Sequence, residues 1–485
     1  MKNEIKNGSV KLIVYALPSK ELDPINIEFS DDAEFLIGLY STLITYDETG
    51  KIVTQLAQDY SIDKNLLKVN IKRDIKTIDG YEITAEDVAF SFKRLLVMNK
   101  NTHGKLDYFL KCENKYQKPS EEFDCLKVEN NTVIFKLKNE QLIPFFIRVL
   151  SSPDYVVIPK SAINQETLKI IDFRNTTGAY YFASESADKV IFEKNHGTSS
   201  LNFNGPSSIE FVTYDNSRDR LIELLNENKV DIIPTFYPFT RSLIPDFLKM
   251  SNKYNVYKTL KIRLSYFQFT DRGLKTYSYE NRLKIAAKLK YEFLKVFREE
   301  YELDNTYEYF PDFGNGRITK EQESILREKL ENKVNFQLPP ELRVRFMSLP
   351  FNKTSSFLTS LSLKNDYNIT KKSFYAEKIE DQPDIIFHST DSGFEDNLSL
   401  LAYMNSNKIF GLTDSEFEEW INSYVLLPPL EREKMLNELH YKILSEMRVV
   451  PIGFSSYYAV TKRPWKIEAA KMYAGMPLWM IKQEQ

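Results

Sequence analysis

Residue types able to do chemistry are scarce in this chain and badly spaced. The four histidines, His103, His196, His388 and His440, stand far apart, and none lies within metal-ligand spacing of another. There is no His-Glu-x-x-His helix, Cys-x-x-Cys pair, Gly-x-Ser-x-Gly elbow or Walker phosphate loop. Phe313-Gly-Asn-Gly316 lacks a third glycine and follows Pro311-Asp312 rather than a strand, so it reads as a turn. Glu395 and Asp396 are adjacent, but carboxylates are common here and a solvated loop explains them. Cys112 and Cys125 are the only cysteines. They bracket one short polar loop, which fits a disulfide in an oxidising compartment or two free thiols that are neighbours in sequence.

Composition narrows the field further. The 485 residues include 65 basic and 68 acidic side chains, a formal net charge of -3. Non-specific nucleic-acid binding needs a basic surface and is disfavoured. No apolar run approaches the length of a membrane span. The first seven residues carry no apolar signal-peptide core, which leaves either a cytosolic protein or a chain that starts after a removed leader. Aromatic residues make up 13%, with 29 Tyr and 33 Phe. Rings in such number suit a groove for variable organic ligands, beyond those that the cores consume.

The elements that would position such a groove alternate between strand and helix, which predicts the α/β class. Strands are expected at 10–16, 66–73, 132–138, 189–194, 208–214, 230–236, 262–270, 342–349, 384–389 and 449–461. Helices are expected at 31–43, 85–97, 217–228, 279–301, 354–363 and 430–447. Two more start at the capping sequences Thr319-Lys-Glu-Gln322 and Thr413-Asp-Ser-Glu416.

One stretch carries a resemblance. Arg73-Asp-Ile-Lys-Thr-Ile-Asp-Gly-Tyr-Glu-Ile-Thr-Ala-Glu-Asp-Val-Ala-Phe-Ser-Phe-Lys-Arg94 resembles the signature of the family 5 extracellular solute-binding proteins, the oligopeptide- and dipeptide-binding components of ABC importers. Asp79-Gly80, Thr84-Ala85, Asp87-Val88, Ser91 and Arg94 fit that pattern. Leu22-Asp-Pro24, Gly38–Leu43, Leu56-Ala-Gln-Asp-Tyr60, Thr177-Gly-Ala-Tyr180 and Asn281–Ala286 are similar to further family elements, in the family's order. The resemblance implies a periplasmic-binding-protein-like fold of the cluster C type, with two lobes joined by a hinge and an extra domain inserted in the first lobe. Mapped onto this chain, residues 1–30, 172–262 and 466–485 form the first lobe, 31–171 the inserted domain, and 263–465 the second lobe.

The resemblance also implies a mechanism. Such a protein holds a peptide through the main chain that all peptides share, and leaves side chains in wet pockets. The family holds the ligand's ammonium with an acid in a loop, and the matching position is Asp391, followed by Ser392 where the family has Tyr. The main chain at Phe387, His388 and Ser389 would pair with the ligand as an edge strand, and the loop at Phe29 and Ser30 would pair from the other lobe. Cys112 and Cys125 would fall in the inserted domain. The expected partners are a peptide or small-molecule ligand and ABC permease subunits. No cofactor, metal or nucleic acid is expected, and the protein would be a periplasmic or cell-surface monomer. A solute sensor of the same fold, or less directly a peptidase, are the alternative readings.

Overall fold

The computed structural model describes residues 8–27, 30–98, 106–201, 203–214, 218–236, 240–299, 302–311, 315–346, 357, 361, 378–391, 401, 404–405, 408–471 and 476–484. The chain divides into two compact units, Met1–Lys258 with Tyr458–Gln485, and Thr259–Tyr457. The chain passes from one to the other inside two long strands, Tyr254–Phe269 and Val449–Lys462.

The first unit is built on the strand Ser9–Ile13, which pairs in parallel with Ser208–Val212 on one side and with Ile232–Ile233 on the other. Lys189–Lys194 and Tyr180–Glu185 extend this sheet in antiparallel fashion. Side chains alternate between its two faces. Val10, Leu12 and Phe211 join a core with Phe35, Leu36 and Leu39 of the helix Ser30–Leu39. Ile13, Val212 and Ile233 join a separate core with Leu221, Leu224 and Leu225 of the helix Arg218–Asn226. Residues 31–171 fall within this unit and carry their own four-stranded antiparallel sheet, in the order Ala57–Asp63, Leu66–Ile71, Thr132–Lys136, Leu126–Glu129. The helix Ala85–Met98 packs beside it. Cys112 and Cys125 are joined by a disulfide.

In the second unit, Ile385–Asp391 pairs antiparallel with residues 263–269 and in parallel with Val344–Phe346. The described helices of this unit include Tyr279–Phe297, Lys320–Glu331, Asp414–Leu426 and Pro429–Ser445. Thr319 and Thr413 form capping boxes with Gln322 and Glu416, as their spacing predicts. Pro429 starts the last helix at a position where the missing N–H costs nothing.

Several boundaries differ from expectation. The helix at 31–43 stops at Leu39. The strand expected at 230–236 shrinks to Ile232–Ile233, because Pro234 has no N–H for a ladder. The strand at 262–270 begins eight residues earlier, at Tyr254. The helix expected at 354–363 lies outside the described residues, apart from Phe357 and Leu361.

Candidate functional site

In the first unit, Ser9–Ile13 and Ser208–Val212 are adjacent and parallel, yet the helices that follow them pack on opposite faces of the sheet. That is a topological switch point. The chain diverges there, the arrangement at which open α/β sheets receive ligands, outside the carboxyl ends of the strands. The residues at these ends are Val14, Tyr15 and Ala16 on one strand and Thr213 and Tyr214 on the other. Pro234, Thr235 and Phe236 follow the neighbouring strand Ile232–Ile233. Tyr214 leans on the core beneath helix Arg218–Asn226, and the Phe236 ring meets Phe35 edge-on at 5.9 Å. Tyr15 is 53% exposed.

The second unit offers a different surface. The start of the strand Ile385–Asp391 is pinned by Asp384, which is fully buried. Its Oδ1 accepts from Arg272 Nη1 at 2.8 Å, and its Oδ2 accepts from the Arg343 N–H at 2.9 Å. Burial raises its pKa against the pull of these two arginines. Gly273 packs so closely that a Cβ there would sit 2.1 Å from the Asp384 carbonyl oxygen. Phe387 is buried in a ring cluster, with Phe293 at 4.8 Å, Phe267 at 5.4 Å and Phe346 at 5.6 Å.

Beyond Phe387 the neighbours change. Residues 385–387 have a strand on each side, whereas His388–Asp391 pair only with 263–266 among the described residues. The half-buried His388 tilts against Tyr266 at 5.7 Å, and its Nδ1 lies 2.8 Å from the Ser389 carbonyl oxygen. Burial, helped by the Arg263 charge, pushes its imidazolium down to about 4, so the ring is neutral at pH 7. A carbonyl partner fixes the proton on Nδ1. The ladder sets Asp391 opposite Arg263, whose guanidinium lies over the Tyr457 ring at 5.1 Å.

The signature residues have positions of their own, all within the first unit. Asp87 Oδ2 accepts from both the N–H and the hydroxyl of Thr84 at 2.9 Å, and its Oδ1 accepts from Tyr81 Oη at 2.8 Å and from the Lys160 N–H at 2.9 Å. Ser91 donates to the Ile158 carbonyl at 2.9 Å and accepts from the Ile158 N–H at 3.0 Å. Arg94, 1% exposed, clamps Asp23 with both terminal nitrogens, Nη1 at 3.1 Å, and its Nε donates to the Leu168 carbonyl at 2.7 Å. Asp23 in turn caps the short turn Pro24–Asn26. One face of one helix thus fastens three distant segments. Thr177 closes the arrangement by accepting from the Ser41 N–H at 2.9 Å and donating to the Val157 carbonyl at 2.6 Å.

Residues 51–284 match the model for "Bacterial extracellular solute-binding proteins, family 5 Middle". Over these residues, just under half of the chain, the sequence is similar to the family 5 solute-binding proteins. No curated protein sequence matches the chain. Solved structures do. The Borrelia burgdorferi periplasmic oligopeptide-binding protein OppAIV is 19% identical, with 98% of this chain and 100% of that one covered at a TM-score of 0.77. The Haemophilus influenzae OppA complexed with RPPGFSPFR is 15% identical, with 99% of each chain covered and a TM-score of 0.77. The Agrobacterium tumefaciens protein AgaA, complexed with agropinic acid, is 16% identical, with 99% of each covered at 0.75. The fold of this chain is therefore periplasmic-binding-protein-like.

Among the residues expected to touch ligand, Phe29 lies outside the described residues, and Ser30 opens the helix Ser30–Leu39. Phe387 has its ring in the core and its main chain paired with both Phe267 and Phe346. His388 and Ser389 pair with Tyr266 and Ser265, and Asp391 is the last residue of the strand rather than part of a loop beyond it. The switch-point residues Tyr15, Tyr214 and Phe236 were missed, because parallel adjacency of strands 195 residues apart leaves no local mark in a sequence. Among the described residues no three His, Cys, Asp or Glu side chains cluster as a metal site would, and no helix is long and apolar enough to cross a membrane.

Proposed function

We propose that this chain is an extracytoplasmic substrate-binding protein. It captures a peptide or similar small solute by closing two lobes over it, and hands it unchanged to the permease subunits of an ABC importer, working as a monomer. The observation that carries this reading is the family 5 match over residues 51–284, joined to a fold shared along 98–99% of the chain with proteins solved as peptide binders. AgaA, solved with agropinic acid, keeps small non-peptide solutes within the class of ligand.

In this reading residues 1–30, 172–262 and 466–485 are the first lobe, 31–171 an inserted domain and 263–465 the second lobe. The strands Tyr254–Phe269 and Val449–Lys462 are the two hinge crossings. Strand crossings let each lobe stay rigid while a few residues absorb the rotation. The His388 and Ser389 main chain takes up the ligand's backbone as an added strand. A neutral His388 keeps charge away from that edge at pH 7. Asp391 balances the ligand's ammonium, whose burial without a counter-charge is costly. Phe29 and Ser30 approach the ligand from the first lobe, on a segment fastened behind them by the Asp23–Arg94 pair.

Calorimetry and native mass spectrometry against mixed di- to hexapeptides test the reading. A bound peptide is expected, and a protein that takes none would end the peptide assignment. Asp391→Asn then tests the ammonium role, with an expected loss of about 2–5 kcal/mol of affinity for free peptides and little for N-acetylated ones.

A further inference from the structure

Tyr15 is the one exposed large side chain among the described residues that stands just past the carboxyl end of a parallel strand. Within the described residues no hydrogen bond, ring contact or cation engages it. In the ladder Ile13 faces Val212, so Tyr15 and Tyr214 each stand two residues beyond the two strands, Tyr15 in a bend. Tyr214 packs on the core that includes Ile13 and Val212, and Tyr15 does not.

The surroundings set the chemistry. The three segments that end the parallel strands, 14–18, 213–214 and 234–236, read Val-Tyr-Ala-Leu-Pro, Thr-Tyr and Pro-Thr-Phe. None of these residues is ionisable at neutral pH, in a chain that is 27% charged. These ten residues offer a charged group no counter-ion of their own and offer an apolar group rings to lie on. A tyrosine has only two side-chain torsions to fix, so stacking on it loses little entropy.

We propose that Tyr15 is a specificity-determining residue of the ligand site, a ring platform at the switch point that selects ligands carrying an uncharged aromatic or branched apolar group. The inference rests on the solute-binding reading above and adds the class of ligand group that this unit receives. The charged groups of the ligand are met elsewhere.

Four peptides test it by calorimetry: Ala-Ala-Ala, Phe-Ala-Ala, Ala-Phe-Ala and Ala-Ala-Phe. In the wild-type protein at least one Phe peptide should bind ten-fold or more tighter than trialanine. Tyr15→Ala should erase that preference to under two-fold and leave trialanine within two-fold of its original affinity. Tyr15→Phe should keep the preference, because the ring and not the hydroxyl carries it. Equal losses for all four peptides, or a preference that survives Tyr15→Ala, would overturn the proposal. If neither protein takes any of the four, the peptide reading fails, and the platform is judged on solutes retained from rich growth medium and identified by native mass spectrometry. Aromatic or branched apolar solutes held by wild type and lost from Tyr15→Ala support it, while the same solutes held by both, or only polar ones held by wild type, overturn it. Unchanged melting curves show that the exposed substitution leaves the fold intact.

Discussion

Replacing Arg94 by Met removes a charge but keeps an unbranched apolar stem in the same channel. The guanidinium is 1% exposed, and its Asp23 partner is 11% exposed in its side chain. Cutting one partner from such a pair leaves the other carboxylate facing low dielectric without compensation, which typically costs about 3–5 kcal/mol. Asp23 keeps some water and the hydrogen bond from the Ile25 N–H, so the lower end applies, about 3 kcal/mol. The Leu168 carbonyl also loses its donor, but that residue is half-buried and water replaces the arginine there. Urea unfolding reads the effect through Trp465 and Trp479, both in the first unit, in a Trp420→Phe background that silences the second. The midpoint should fall with the slope unchanged. Removing both charges, Asp23→Leu with Arg94→Met, should recover most of the loss, because the penalty comes from the orphaned charge. A single variant that loses less than about 1 kcal/mol would refute the reasoning, since that is what an exposed pair contributes. So would a double variant no better than the single one, because the cost would then lie in packing.

Two further perturbations have signs fixed by the structure. His440 is fully buried, with Nδ1 paired to the Gly316 carbonyl oxygen at 3.0 Å and Nε2 accepting from the Tyr309 N–H at 2.9 Å, so it must be neutral; burial, aided by the Arg317 charge, pushes it down to about 4 from 6.5. The unfolded chain therefore binds the proton first as pH falls, and about 3 kcal/mol of stability should be lost between pH 6.5 and 4. His388 shifts the same way, so His440→Gln should flatten the pH dependence of urea unfolding by about half; identical slopes in the two proteins would contradict this. Gly178→Ala would put a Cβ 2.5 Å from the Leu39 carbonyl carbon, a backbone atom that cannot rotate away, and should lower stability by about 2–3 kcal/mol and the melting temperature by about 5 °C or more. An unchanged melting curve would mean that the turn at 176–180 yields more easily than its hydrogen bonds suggest.

What was legible in the sequence was local. Capping boxes at Thr319 and Thr413 are written within four residues and could be read directly. The signature 73–94 could be recognised for the same reason, since Asp87, Ser91 and Arg94 share one helix face at spacings of four and three. What each of them grips could not be read, because Lys160, Ile158 and Asp23 are brought there only by the fold. The strand Ala57–Asp63 escaped because six of its seven residues are exposed, which erases the alternation that marks a strand. Helix Thr240–Lys249 escaped because Pro245 sits inside it and reads as a breaker. Ile385-Ile386-Phe387 is a continuous apolar run, the mark of a strand buried among neighbours, and the residues turn polar from His388.

That last contrast explains why family and ligand are legible to such different degrees. The residues that carry the resemblance are engaged with the fold: Arg94 holds the turn after the first strand, Asp87 and Ser91 hold residues 158–160, and Thr177 and Gly178 hold the end of helix Ser30–Leu39. Each is already satisfied by protein partners, so its chemistry is spent on position. Residues that meet a ligand must be under-used by the fold, like Tyr15 at the switch point. Little constrains such positions except the ligand itself. A motif of satisfied residues therefore identifies the scaffold and is silent about its cargo, and the place to look for the cargo is where a costly side chain stands exposed beside a rigid strand end with nothing of its own chain to hold.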